Sequence, residues 1–406
     1  MRILILTEGF PPETKSCSTL FFELAESLVK KGHAVSVITR MPRYNVAAGT
    51  DLNNIPAREI LSGIKVRRMQ TPPLARNIPI IRGLEHFLLG WIFFWGGLSE
   101  GDLDIILSYS PPLPLCIAGY WLARVKKARS VANIQDLYPQ TVIDLGLLKN
   151  KFLIRLSKLM ERAVYQNSSV LTVHSEGNRD YLLSQGANAD RVKIVHNWVD
   201  TDLVKPGPKN NEFSRKYGLD SKFIISFAGV MGFAQGLEVI VKAAEKLKDK
   251  KEIVFIMVGD GVKRPELEHL AADLKLNNLK FIPTQPRDLY PQVLHASDIC
   301  LVTLGKDLLT PVVPGKLLSI MASGRPVVAS IPLSGDTPKI INDCRCGIAV
   351  EAGRAELLAE AILKLYNDRS LAREMGQNGR QAAEKLFSRA TGVSAYENIF
   401  SALLSQ

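Results

Sequence analysis

The sequence predicts an α/β protein made of two doubly wound parallel-sheet domains. Three observations predict it. The 406 residues suffice for two or three domains at about 150 residues each. Short apolar, β-branched runs recur through both halves with helical patterns between them. A polar, breaker-rich stretch, Lys205-Pro-Gly-Pro-Lys-Asn-Asn-Glu212, interrupts the alternation near its middle. Continuous apolar strands, rather than alternating ones, belong to parallel sheets covered on both faces.

In the first half the strand candidates are Ile3–Thr7, Val35–Thr39, Val66–Met69, Ile105–Ser108, Val131–Ile134 and Val170–Val173. Between the first two, Leu20, Phe21, Leu24, Ala25 and Leu28 share one helical face and Gly32 closes the helix, making a βαβ unit. The series restarts at Phe223–Phe227 and continues through Ile253–Val258, Leu279–Ile282, Ile299–Val302, Pro326–Ala329 and Gly347–Val350. Helices are expected at Leu237–Leu247, Glu266–Leu274 and Lys316–Ala322. The expected domains are residues 1–204 and 205–385, with a helix in 386–406 returning to the first. Ligands of such sheets bind beyond the carboxyl ends of the strands, so two facing domains would hold the site between them.

Hydrophobic residues at 46% and charged residues at 22% exclude general disorder and a coiled coil. The cysteines at 17, 116, 300, 344 and 346 form no CxxC pair, and no two histidines have HxxxH spacing, so reduced cytosolic thiols and no zinc site are expected. Asp102-Leu-Asp104 and Asp200-Thr-Asp202 match a manganese-chelating DxD pattern but read as strand-flanking loops, and no metal is expected. A net charge of +11 suits nucleic acid, anionic lipid or a phosphorylated ligand. Without aromatics interleaved among the basic residues, nucleic acid is not expected. The apolar run after Met1 is too short for the core of a signal peptide. Phe87–Leu98 is apolar over 12 residues, short of the roughly 20 that span a bilayer, so it is either a core helix or a segment lying on a membrane. Lys151, Arg155, Lys158 and Arg162 form a basic stripe, and Arg124, Lys126, Lys127 and Arg129 add charge nearby, which favours an anionic membrane surface as partner.

Three loops carry the chemistry. Phe227-Ala-Gly-Val-Met-Gly-Phe-Ala-Gln-Gly-Leu-Glu238 is a strand end, three glycines and a helix start, suited to close approach by a phosphate or to an ordinary βα turn. Pro314-Gly-Lys316 opens a helix, where a lysine against the macrodipole makes sense beside a bound anion or as a solvated surface residue. Val258-Gly-Asp-Gly261 ends a strand, and Asp260 there either accepts from a ligand hydroxyl or, as the preferred reading, caps the next helix.

Taken together, FPPE, QDLYP, VHNWVD, FAGVMGFAQGLE, VGDG and PGKLLSIMASGRPVVAS resemble glycosyltransferase family 4, the retaining nucleotide-sugar transferases of GT-B fold, over residues 1 to about 400. The strings are similar to those of bacterial O-antigen and capsule transferases that use UDP-activated N-acetylated sugars, such as UDP-N-acetylfucosamine transferases. The resemblance implies that the second domain holds the nucleotide sugar through Gly229, Gly232, Gln235, Gly259, Asp260, Ile282, Pro283, Pro314, Gly315, Leu317 and Ser319. It places Lys316 on the diphosphate, Asp136 beside the reacting sugar, and Glu13, Lys15 and Ser16 at the acceptor, while the residues themselves equally allow Asp136 to be a buried cap of the Asp-Leu-Tyr-Pro turn. The chain departs from the family where paired glutamates fall at Pro311 and Ser319, where an Arg and a Lys fall at Val230 and Gln235, where Gly-Gly becomes Lys15-Ser16, and where His becomes Gln135. Diphosphate charge is then expected to rest on Lys316, Lys15 and helix termini.

The function implied is retaining, metal-independent transfer from a UDP-sugar to a lipid-linked saccharide acceptor in cell-surface polysaccharide assembly. It would take place in the cytoplasm at the membrane surface, with no cofactor beyond the donor. A UDP-N-acetylglucosamine 2-epimerase of the same fold, or a binding subunit without catalysis, are the alternatives.

Overall fold

The computed structural model describes residues 1–43, 46–47, 49–72, 79–144, 146–308 and 310–405. Its contacts divide the chain into two compact units, Met1–Asn197 with Arg389–Gln406, and Trp198–Ser388. The boundary therefore falls before residue 205. The Val199 N–H donates to the Phe387 carbonyl at 2.9 Å, and Val199 and Val204 are buried in the second unit's core.

The first unit is built on eight strands: β1 (Arg2–Leu6), β2 (Ala34–Arg40), β3 (Arg58–Leu61), β4 (Ile64–Met69), β5 (Ile105–Ser110), β6 (Arg129–Ile134), β7 (Val170–Val173) and β8 (Val192–Ile194). They run in the order β3-β4-β2-β1-β5-β6-β7-β8, parallel throughout except for the β3–β4 edge hairpin. β3 escaped the sequence reading because its four residues bury no side chain fully. The Ser16–Lys30 helix joins β1 to β2 and buries Phe21, Leu24, Ala25 and Leu28. The apolar run 87–98 is the larger part of a Pro79–Leu98 helix. Leu89 and Phe93 enter the core, as the core-helix reading expects, while Phe87, Trp91 and Trp95 stay exposed. Among the described residues no helix is long and apolar enough to cross a membrane.

The Lys151–Asn167 helix corrects the basic stripe. Lys158 is not a free surface charge, since its ammonium lies 3.0 Å from buried Glu161 and donates to the Tyr181 hydroxyl at 2.6 Å. The Arg389–Leu404 helix belongs to this unit. Its Tyr396 hydroxyl accepts from the Asn133 amide at 2.6 Å inside the core, and Arg389 donates to the Glu23 carbonyl at 2.9 Å.

The second unit contains β9 (Phe223–Ala228), β10 (Ile253–Val258), β11 (Leu279–Ile282), β12 (Ile299–Thr303), β13 (Val327–Ile331) and β14 (Gly347–Glu351). All pairs are parallel, in the order β11-β10-β9-β12-β13-β14. β9, β10, β12 and β13 are buried along their whole length, as their largely apolar sequences, interrupted only by Ser226, Thr303 and Ser330, require. The strand order reverses between β1 and β5 in one sheet and between β9 and β12 in the other. Loops at such switch points diverge and leave a crevice beyond the strand ends.

Candidate active site

The crevice of the second sheet lies between the loops that follow β9 and β12. The Gly305 N–H donates to the Ala234 carbonyl at 2.8 Å, and this bond ties the two loops together. The loop after β12 leads to the Gly315–Ala322 helix, which begins at Pro314 with no side-chain cap. Lys316, in its first turn, folds back onto the first loop. Its Nζ donates to Gln235 Oε1 at 2.9 Å and sits 3.8 Å from the centroid of the Phe227 ring. A Cβ on Gly229 would come within 3.2 Å of that nitrogen, so the glycine makes room for the ammonium. No carboxylate pairs with Lys316 among the described residues, and although the side chain keeps some accessible surface, enclosure by protein pulls its pKa down to about 7. A Cβ on Gly232 would meet nothing nearer than Val230 Cγ1 at 4.0 Å, and one on Gly315 would meet nothing within 4 Å. Both glycines thus leave bare backbone beside open space, as close approach by a ligand requires.

In the first unit, the loop after β6 is held by a reciprocal amide pair. Gln135 Nε2 donates to Asn197 Oδ1 at 3.0 Å, and Asn197 Nδ2 donates to Gln135 Oε1 at 2.8 Å. The next residue, Asp136, keeps its carboxyl exposed with no hydrogen bond to it among the described contacts. Desolvation by the surrounding protein nevertheless pushes that carboxyl upward. The turn is closed by backbone, with the Tyr138 N–H donating to the Asp136 carbonyl at 2.8 Å, so the side chain is not spent on capping. Lys15 is a different case from the one expected. Its Nζ stands 3.1 Å from Glu13 and 3.4 Å from Glu8, and buried Glu13 also faces Arg40 at 3.6 Å. The charge of Lys15 is therefore compensated within the unit and is not free for a diphosphate. Ser16 is exposed at the start of its helix.

Two family models match the chain. Residues 18–203 match the model for Glycosyltransferase Family 4, and residues 209–382 match that for Glycosyl transferases group 1. The chain is a family 4 glycosyltransferase. WcaI of Escherichia coli (strain K12), whose name places it in colanic acid biosynthesis as a glycosyl transferase, is 27% identical over 80% of this chain and 82% of its own. The D-inositol 3-phosphate glycosyltransferase of Mycobacteroides abscessus is also 27% identical, over 84% of this chain and 75% of its own. Among solved structures, Anabaena Alr3699/HepE in complex with UDP superposes with a TM-score of 0.75 at 18% identity, covering 99% of this chain and 100% of that one. Sucrose-phosphate synthase from Thermosynechococcus elongatus gives 0.79 at 17% identity, covering 100% and 99%. These structures share the GT-B fold.

Several expected contact residues of the transferase serve its scaffold. Leu317 is fully buried in the core and its N–H donates to the Pro314 carbonyl at 2.9 Å. Ile282 is also a core residue, and its carbonyl is taken by the Gly259 N–H at 3.0 Å, which leaves exposed Pro283 as the accessible part of that loop. Gly259, at φ +146°, is required because a Cβ would stand 2.0 Å from the Gly229 carbonyl oxygen. Asp260 does not cap the next helix. Its Oδ1 accepts from the Gly261 N–H at 2.7 Å, and the Arg264–Asp273 helix has no side-chain cap. Ser319, in place of the family's glutamate, is hydrogen-bonded to the Tyr290 hydroxyl. Gln235, expected at the nucleotide sugar, holds Lys316 instead, a contact that sequence alone did not indicate because the two lie 81 positions apart, and Phe227 was not expected at the site. The only sequence signal was that Gln235 occupies the family's cationic position.

Proposed function

We propose that this transferase moves a sugar, N-acetylated by the likeness of its motif strings, from a UDP-sugar to a lipid-linked saccharide acceptor with retention and without a resident metal. The setting is cell-surface polysaccharide assembly at the cytoplasmic face of an anionic membrane. The observation that carries this reading is Lys316, a desolvated ammonium with an amide and a ring as its recorded partners and bare glycine backbone beside it. An anion of two phosphates supplies the missing counter-charge. The likeness to a fold crystallised with UDP and with UDP-glucose supports the same nucleotide, and the likeness to WcaI supports the polysaccharide setting.

As the glycosidic bond to the donor breaks, negative charge grows on the departing diphosphate. Lys316 and the uncapped helix start stabilise it where it develops, which lowers the barrier without a carboxylate nucleophile. Family resemblance assigns deprotonation of the acceptor to that diphosphate, on the face of the sugar it leaves. In this reading the carboxylate of Asp136, which is exposed and accepts no hydrogen bond among the described residues, holds a hydroxyl of the reacting sugar.

The test is UDP release by the purified protein across a panel of UDP-sugars, in excess chelator, with the anomeric configuration of the product read by NMR. Metal-independent release and a retained anomer are expected. An inverted anomer, a free epimerised sugar, or loss of UDP binding on chelation would each overturn a named part of the reading.

A further inference from the structure

Gln135 immediately precedes Asp136 in the loop after β6, and its polar groups are engaged by three other segments of the first unit. Its N–H donates at 2.9 Å to the carbonyl of Ser110, the last residue of β5. Its carbonyl accepts at 2.9 Å from Nε2 of His174, the residue that follows β7. Its side-chain amide is paired both ways with Asn197, in the segment after β8, at 3.0 and 2.8 Å. The ends of four neighbouring strands thus meet on one residue. On the other side of Asp136, Leu137 is buried in the core and its carbonyl accepts from the Thr141 N–H at 3.0 Å. Asp136 therefore stands on a backbone fixed at both of its neighbours, while its own carboxyl accepts no hydrogen bond among the described residues.

We propose that Gln135 and Asn197 are positioning residues for the transfer reaction, a clamp that holds Asp136 ready for the reacting sugar. The inference deepens the proposed function, because it rests on the role given there to Asp136. Chemistry and placement both argue for it. Each amide carries donors and an acceptor, so two amides face to face satisfy one another without any charge. A lysine or arginine in either place would compete for the neighbouring carboxylate and withdraw it from a sugar hydroxyl. Gln135 and Asn197 are both half-buried and neither belongs to the hydrophobic core packed beneath the loop. What their pair fixes is the loop, and a carboxylate held in place beforehand need not be ordered when the sugar arrives. Gln135 acts by being held, since its amide is taken up by a residue 62 positions further along the chain.

The experiment labels the aspartate carboxyls of the full chain with carbon-13 and titrates them by NMR, the Asp136 signal being assigned by its loss in Asp136→Asn. Asn197→Ala and Gln135→Asn each break the pair. Gln135→Asn combined with Asn197→Gln exchanges the two amides and rebuilds a pair of the same combined length. In the unsubstituted protein the Asp136 carboxyl should titrate above the ordinary aspartate range, because the clamped loop holds it against protein. Each single substitution should return it toward that range. Each should also lower kcat for UDP release, from the UDP-sugar turned over fastest in the panel, by about tenfold or more with donor KM within about twofold. UDP affinity should stay within about twofold, since the nucleotide site lies on the other unit. The exchange should recover both the titration and kcat. Single substitutions that leave both unmoved overturn the clamp. A loss of kcat that the exchange fails to recover also overturns it, because Gln135 or Asn197 would then touch substrate directly. If Asn197→Ala does not fold, Gln135→Asn breaks the same pair from the other side, and if neither folds the pair is structural and the proposal falls. The titration needs no substrate. Asp136→Asn with full transfer would sink the role of Asp136, and a panel without turnover the transferase reading, while the titration alone still reports whether the pair holds the loop.

Discussion

Lys316→Ala isolates the charge on which donor binding is argued to depend. In the free protein the ammonium gives one hydrogen bond to a neutral amide and lies over a ring, with no anionic partner among the described residues. UDP would convert it into a charge-assisted donor, and losing such a bond costs about 1.5–3 kcal/mol, or about 10- to 150-fold in affinity. Uridine carries no phosphate, so its affinity should change less than about twofold. The depressed pKa adds a second signature. With a free-state value of about 7, the lysine has lost most of its charge by pH 9, while a terminal phosphate, with a pKa of about 6, stays ionised. UDP affinity should therefore fall as pH rises from 7 to 9, by up to about tenfold per unit, with proton uptake on binding. Titration calorimetry in buffers of different ionisation enthalpy reads affinity and proton uptake together, and the Lys316→Ala profile should be flat. Equal losses for UDP and uridine, or a flat profile for the unsubstituted protein, would make Lys316 a structural residue and refute the reasoning.

Other substitutions test neighbouring steps. Because the folded pKa of Lys316 lies below the unfolded one, the unfolded chain binds more protons between pH 7 and 10, so this residue makes stability rise with pH across that window. Lys316→Met should stabilise the ligand-free protein most near pH 7 and least near pH 10, as denaturant titrations at the two pH values would register. Gln235→Glu puts a carboxylate where the amide accepts the lysine's hydrogen bond at 2.9 Å. The resulting ion pair should raise the pKa of Lys316 yet weaken UDP binding by about tenfold or more through competition for the same ammonium. Asp136→Asn removes one charge-assisted hydrogen bond to the sugar and should lower transfer by about 10- to 150-fold with UDP affinity nearly unchanged, and kinetics showing the reverse split would remove Asp136 from the reacting sugar. Tyr396→Phe leaves the buried Asn133 amide without its 2.6 Å partner, at a cost of about 1–3 kcal/mol measurable by denaturant unfolding.

By itself the sequence determined the double α/β architecture. β9, β10, β12 and β13 are buried on both faces, and continuous apolar runs such as Ile253–Val258 record that burial residue by residue. The loops of the second site were legible for the same local reason, since glycines and a helix start mark a strand-to-helix turn wherever it stands in the fold. What only the tertiary structure decided were the partners of each charge. Lys15 read as a free cation until Glu8 and Glu13 were found around it, and Lys158 read as part of a surface stripe until Glu161 and Tyr181 were found against it. Lys316 read like either of them and turned out to be held by an amide and an aromatic ring. Leu317 and Ile282 fell into the core because their orientation on a helix and a strand, rather than their place in a motif, sets what they touch. Hydrophobic patterning is a short-range property of the chain, whereas the environment of a charged group is set by whatever distant segments fold against it. The free energy of that group depends on neighbours which the order of residues does not name.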